Sequence, residues 1–286
     1  MGVTTRDIAY ITALTRGGNV SLERVLQIGR QSLFVDGPQM VAGSGEGGRS
    51  MDLGAATALV EDSGGFAETW FEDLGASSVE SVDVSEYEGS THVHDMNDPL
   101  PAHLRRDYSF VFDGGSIEHI FNVPTALGNA MAAVRTGGHL LTVTTCNNAV
   151  GHGFYQFSPE FFFRALTPEN GFEVRSVVVK PLHRWGSWML ARDPAHVGQR
   201  VELTNAWPTL IYALAQRVND NDAFGAWPQQ SDYQTEWATG ERLRVQHFAD
   251  RLPAPGRRAV KVATAFAGTT SDPSHFRKVA VGEIPT

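Results

Sequence analysis

The sequence predicts an α/β protein with a mostly parallel central sheet flanked by helices, plus a C-terminal extension. Three observations predict it. The apolar run Phe110-Val111-Phe112 stops at Asp113-Gly114-Gly115, as a buried strand does when its last side chain points into a cleft. Leu127, Met131 and Val134 then repeat at helical spacing, and a second apolar run follows at Leu140 to Val143. Strand, helix and strand of this length make one right-handed crossover of a parallel sheet. Finally, acids stand where successive strand candidates end, at Asp83, Asp95 and Asp113. Ligands in such sheets bind beyond the carboxyl ends of the strands.

Residues 1 to 20 read as a lead-in helix, with Ile8, Ile11 and Leu14 on one face and Gly17-Gly18 ending it. Arg24 to Phe34 holds the first strand, with Gly29 at its turn. Gly43 to Ser50 is polar and glycine-rich and reads as a loop. Short helices follow at Leu53 to Leu59 and Phe66 to Leu74. Val79 to Val84 and Thr91 to His94 are the second and third strands. In the central crossover, Asn122 is the expected helix cap, Pro124 lies in the first turn, Arg135 in the last, and Gly137-Gly138 ends the helix. Ser158-Pro159-Glu160 starts another helix. Phe172 to Val179 is rich in β-branched residues and makes the sixth strand. Pro181 to Arg200 reads as loop, and Leu210 to Val218 fits a helix or a last strand equally well. Arg242 to Leu252 reads as helical and Gly268 to Ser274 as partly disordered. The expected division is a main domain over 1–218 and an extension over 219–286 that caps the site, mediates self-association or is partly disordered.

The 286 residues suffice for one large α/β domain. With 23 Lys and Arg against 32 Asp and Glu, the net charge is -9 and no basic run is present, which argues against a nucleic-acid partner. One cysteine, Cys146, excludes a disulfide framework or a cysteine zinc cluster within one chain. It reads as a small buried residue. Without a secretion signal or a long apolar stretch, the expectation is a cytoplasmic protein without a membrane partner. His92 and His94 alternate before Asp95, but no further ligands are evident, so no metal is expected.

At the carboxyl edge, an acid ending a second strand commonly accepts hydrogen bonds from ribose hydroxyls, and one after a third can meet an adenine amino group. No phosphate-cradling glycine motif is present, which excludes the usual nucleotide triphosphate loops. The loop Gly151-His152-Gly153-Phe154-Tyr155-Gln156-Phe157 has the composition of a small-molecule pocket. His119 and His152 are the candidate proton acceptors, because an imidazole titrates near neutrality.

The phrases VDVSEYEGSTHVHDMNDP, FDGGSIEHIFNVPTAL and NNAVGHGFYQFSPEFFFRAL, spanning Val82 to Leu166, carry a resemblance. With RVLQIGRQ, WPTLIYALAQR and PQQSDY outside that span, the chain resembles class I S-adenosylmethionine-dependent methyltransferases. More narrowly, it looks like a bacterial methyltransferase-like family, much of it of uncharacterised function. The resemblance implies a Rossmann-like class I methyltransferase fold with S-adenosyl-L-methionine as cofactor. It implies that Gly29, Arg30 and Gln31 meet the methionine part, Asp83 the ribose, and Asp95 with Met96 the adenine. Asp113, Gly114 and Gly115 would line the cleft. The pocket loop then supplies Asn147, Asn148, Phe154, Tyr155 and Gln156 to the substrate, with His119 and His152 as catalytic candidates. The expected function is methyl transfer to a small molecule in secondary or cell-surface metabolism, by a protein able to form homo-oligomers. The alternatives are another reaction of the same cofactor, such as intramolecular displacement or rearrangement, and a degenerate relative that only binds. The first loop departs from the family, with one glycine followed by Arg-Gln, and the stretch from Gly29 to Asp83 is longer than usual.

Overall fold

The computed structural model describes residues 2–183, 186–240 and 270–286. The chain opens with β1 (Gly2–Val3) and α1 (Thr5–Arg16), then β2 (Arg24–Ile28) and β3 (Ser32–Leu33). Three helices follow, α2 (Gly37–Glu46), α3 (Leu53–Asp62) and α4 (Glu68–Asp73). Next come β4 (Ser78–Asp83), β5 (His92–Val93), β6 (Tyr108–Gly114), α5 (Val123–Ala133) and β7 (Val134–Asn147). Then come α6 (Pro159–Ala165), β8 (Phe172–Pro181), β9 (Trp188–Ala191), α7 (Pro194–Val197), β10 (Leu203–Thr204) and β11 (Thr209–Arg217). The last described α-helix and strands are α8 (Ser231–Thr239), β12 (Thr270–Ser271) and β13 (Phe276–Val279).

Nine strands form the main sheet in the order β13-β9-β8-β11-β7-β6-β2-β4-β5. From β5 to β7 all neighbours are parallel, and β11 then runs antiparallel between β7 and β8. The strand order reverses between β2 and β6, so their carboxyl ends diverge into the crevice where such sheets bind ligands. This is the Rossmann-like order of the class I methyltransferase fold, with two antiparallel strands added at the β8 edge. The open reading of Leu210 to Val218 resolves as a strand because β7 and β8 pair with it on both sides. Inside the stretch expected to be loop, Trp188 and Met189 are buried in β9.

Two cores cover the two faces. Along β6, Val111 faces the core of α5 and α6, while Phe110 and Phe112 face that of α1 to α4. Along β11, Ile211, Ala213 and Ala215 alternate in the same way with Tyr212 and Leu214. The first helix is tied to the sheet through Asp7. Its carboxylate accepts from the Thr4 amide at 2.8 Å and from the Tyr212 hydroxyl at 2.8 Å. Among the described residues, no helix is long and apolar enough to cross a membrane.

Three local expectations are corrected. Residues Gly43 to Glu46 are helical, not loop. A Cβ on Gly43 would stand 2.7 Å from the Thr5 carbonyl of α1, so the glycine permits close helix packing rather than a turn. The central helix stops at Ala133, and Val134 already pairs with Tyr108 in β7. Arg135 and Gly137-Gly138 therefore lie in the strand, where the register with β6 shifts. The Asn122 side chain does not cap α5; its amide group donates to the Asn97 carbonyl at 3.1 Å. The helix read at Arg242 to Leu252 lies outside the described residues, as does the beginning of Gly268 to Ser274.

His139 carries a pH prediction. The ring is buried in β7, and its Nδ1 has no hydrogen-bond partner. Burial first, then the charge of Arg175, pulls its pKa from 6.5 down to about 4. Below about 6.5 the unfolded chain takes up the proton first, so stability present above that pH is lost as pH falls towards 4. The difference is worth about 3 kcal/mol. His139→Gln is expected to flatten this part of the stability curve. Denaturant unfolding at pH 7, 5.5 and 4.5 checks it; parallel curves for both proteins would show that the ring protonates freely in the fold.

Candidate functional site at the carboxyl edge

The crevice begins at the turn after β2. Gly29 has φ +71°, and its amide donates to the Val82 carbonyl at 2.7 Å. The next two side chains turn back onto protein. Arg30 donates to the Glu68 carboxylate at 2.8 Å and to the Glu88 carbonyl at 2.6 Å, with its guanidinium 3.8 Å from the Phe66 ring centre. The fully buried Gln31 donates through Nε2 to the carbonyls of Ile28 at 2.7 Å and Gly29 at 3.1 Å. Its Oε1 faces Gly114 and has no hydrogen-bond partner. The chain then enters β3 instead of a helix, and the extra length before Asp83 is α2 and α3.

Asp83 ends β4 with a carboxylate that accepts no hydrogen bond among the described residues, while its backbone carbonyl accepts from the His94 amide at 2.8 Å. Asp95 is exposed. One of its oxygens accepts from the Asn97 amide at 2.9 Å and side chain at 2.8 Å, and these bonds hold its pKa below the ordinary value. Met96 is buried in the core beside α5. Asp113 is buried at the end of β6, and its carboxylate caps the short turn Ile117–His119 by accepting from the Ser116 amide at 2.8 Å. Burial first, and then the neighbouring Glu118 carboxylate, push its pKa up to about 8. The Ser116 hydroxyl donates to the Ile28 carbonyl and joins the two lips of the crevice.

The turn after β6 and the loop after β7 meet. The Glu118 carbonyl accepts from the amides of Phe154 at 2.7 Å and Tyr155 at 3.3 Å. That contact brings His152 to Glu118, with Nε2 3.4 Å from the carboxylate, and sets the His119 and His152 rings 4.9 Å apart. Glu118 itself is buried, and its second oxygen accepts from the Thr144 hydroxyl at 2.7 Å. Both histidines are exposed. Thr144 was not singled out by the sequence reading. A glutamate beside a histidine gives no sign that it faces a second histidine over thirty positions later.

A cavity of about 320 Å³ opens beside this cluster, lined by Thr145, Asn148, Val150, His152, Leu182 and Pro208 among others. Asn148, at φ +56°, anchors its wall by donating to Asn205 Oδ1 at 2.7 Å and the Trp207 carbonyl at 3.0 Å. Asn147 lies beside Asn205 at 3.5 Å. Gln156 accepts from the Ala149 amide at 2.9 Å, and Tyr155 donates to the Phe121 carbonyl at 2.9 Å. The exposed Phe154 ring packs edge-on against Phe121. Thus Asn148 and His152 line the cavity, while Asn147, Tyr155 and Gln156 brace its loop.

Other candidates are occupied elsewhere. His92 pairs with Glu80 at 2.7 Å, and His94 contacts the Asp98 carbonyl at 3.1 Å. Burial pushes the Cys146 thiol up to about 12, so it stays protonated near neutrality.

No family model matches this chain, and no curated protein does. Among solved structures it is similar to the branched-chain polyamine synthase of Thermus thermophilus, at 13% identity and a TM-score of 0.38, over 81% of this chain and 63% of that one. It is also similar to 1,6-didemethyltoxoflavin-N1-methyltransferase of Burkholderia thailandensis, crystallised with S-adenosylhomocysteine. That match has 13% identity and a TM-score of 0.39, over 75% of this chain and 78% of that one. The two names denote different reactions, and likeness this distant assigns neither to this chain.

Proposed function

We propose that the chain binds S-adenosylmethionine and transfers its methyl group to a small molecule seated beside His152. The observation that carries this reading is the free Asp83 carboxylate at the end of β4, the strand beside β2 at the β2–β6 crevice. A carboxylate left unbonded at that point suits a ribose diol. The orphaned Gln31 Oε1 beside Gly114 adds an unmet acceptor that suits an ammonium group. The residues therefore fit a nucleoside carrying a cationic amino-acid tail.

In this reading Asp83 accepts from the ribose hydroxyls, Asp95 offers its open oxygen to the adenine edge, and Gly29, Gln31 and Gly114 border the tail. Arg30 holds the β4 loop through Glu88 and so keeps the rim in place. When bound, the cofactor supplies a methyl group already activated on a sulfonium, and the protein's part is positioning and exclusion of water. The cavity lined by Asn148, Val150 and His152 receives the acceptor. Its hydroxyl or amine proton leaves towards the cluster of Glu118, His119 and His152. Secondary or cell-surface metabolism is the proposed setting, and 1–218 the proposed unit of function. The inward Arg30 and Gln31 side chains favour one other reading, a protein that keeps the fold but binds without turnover.

Calorimetric titration with S-adenosylmethionine and S-adenosylhomocysteine tests the reading. Micromolar binding, about -8 kcal/mol, is expected for both. Asp83→Ala is expected to weaken it at least about tenfold, since hydrogen bonds to a charged group are worth about 1.5–3 kcal/mol. Unchanged affinity in that variant, or no binding by well-folded wild type, would remove the proposal. Binding of both ligands without turnover across an acceptor screen would favour the second reading.

A further inference from the structure

We infer that Glu118, His119 and His152 form a binding site for a divalent transition metal ion of the zinc type. One ligand atom from each of the three residues lies within 4.8 Å of the others. The 3.4 Å between His152 Nε2 and Glu118 Oε1 matches the edge of a tetrahedron around an ion, about 3.3 Å for ligand distances near 2.0–2.1 Å. The remaining edges close by rotation of the exposed His119 side chain. Two imidazoles and one carboxylate are the donor set of catalytic sites that keep coordination positions open.

The surroundings build the site rather than leaving it to chance. Glu118 is buried, and the Thr144 hydroxyl bonded to its second oxygen fixes which oxygen faces the histidines. The backbone bonds from Phe154 and Tyr155 to the Glu118 carbonyl dock the His152 loop on the same turn. Both histidines point to solvent beside the acceptor cavity, so the open positions of the ion face the space where a ligand enters.

The use of such an ion rests on the methyl-transfer reading. A divalent ion held there would lower the pKa of a bound acceptor hydroxyl, whose proton would pass to solvent water; the oxygen would then form the new bond to the methyl carbon as the C–S bond breaks and its electron pair goes to sulfur, which departs as a neutral thioether. Binding of the metal does not depend on that reading and is measured separately.

Cobalt(II) titration of the full chain, after dialysis against a chelator, tests the site. One equivalent is expected to bind with visible d–d absorption, and zinc is expected to displace it. His119→Ala and His152→Ala are each expected to lower the affinity at least about tenfold. His92→Ala, at the separate pair with Glu80, is expected to leave it unchanged. Both test histidines are exposed, so these variants are expected to fold; circular dichroism verifies it. Glu118→Gln is an added variant where it folds. Absence of stoichiometric binding by wild type, full binding by both His119→Ala and His152→Ala, or loss only in His92→Ala would each overturn the site. Cofactor titration of the same variants separates the two proposals, because the loss of metal is expected to leave S-adenosylhomocysteine affinity intact.

Discussion

Trp70→Ala is expected to destabilise the folded chain by about 3–5 kcal/mol. Trp70 has no exposed surface, and its ring lies 4.8 Å from that of Phe71 in the core between α4 and the sheet. Phe71 in turn packs edge-on against Phe112, the residue before Asp113 in β6. Truncation removes the indole and leaves a cavity that helices anchored on both sides cannot close. Trp70→Phe is expected to cost far less, under about 1.5 kcal/mol. The indole Nε1 has no hydrogen-bond partner, so replacing it also removes a buried, unsatisfied donor. Urea unfolding of the three proteins measures both differences. Equal losses for Ala and Phe would mean that the indole nitrogen has a partner in solution.

Gly153→Val is expected to separate the His152 loop from the turn that carries Glu118. Gly153 has φ +74°, which is strained for a β-branched residue. A Cβ there would also stand 2.7 Å from the Glu118 carbonyl oxygen and 3.1 Å from its carbonyl carbon, so backbone must move. The Phe154 and Tyr155 amides then lose their acceptor. Hydrogen exchange at these two amides is expected to rise at least about tenfold, the equivalent of one hydrogen bond. Cobalt affinity is expected to fall with it. Gly151→Val is the internal control, because nothing lies within 4 Å of its added Cβ. Similar exchange in both variants would mean that the loop is not held by this contact.

The two glycines around His152 illustrate how far the sequence reaches. They look equivalent in the chain, yet an added Cβ meets another segment at Gly153 and nothing within 4 Å at Gly151. The same limit applies to Gly43, whose role is set by Thr5 and Ile8 of a different helix. A glycine's composition signal reports that a Cβ is absent, not what fills the space. The turn after β2 is similar. Gly29 was legible as a strand end, but the inward course of Gln31 depends on Gly114, eighty-odd residues away. Asp95 and Met96 were read as neighbours at one adenine edge. The sequence does not show that Met96 packs into the core with the apolar side of α5.

By itself the sequence determined the alternation of strand and helix, the parallel core of the sheet, and the acids at the strand ends. These are written in local periodicity, in period-two runs such as Phe110-Val111-Phe112 and in the turn residues after them, because backbone geometry couples neighbours in the chain. Only the tertiary structure decided that Leu210 to Val218 is a strand, since its pairing with β7 and β8 has no local signature. Tertiary contact alone likewise joined Glu118, Thr144 and His152. That cluster is made by two loops leaving the same sheet edge, and the free energy that docks them resides in bonds between residues far apart in the sequence.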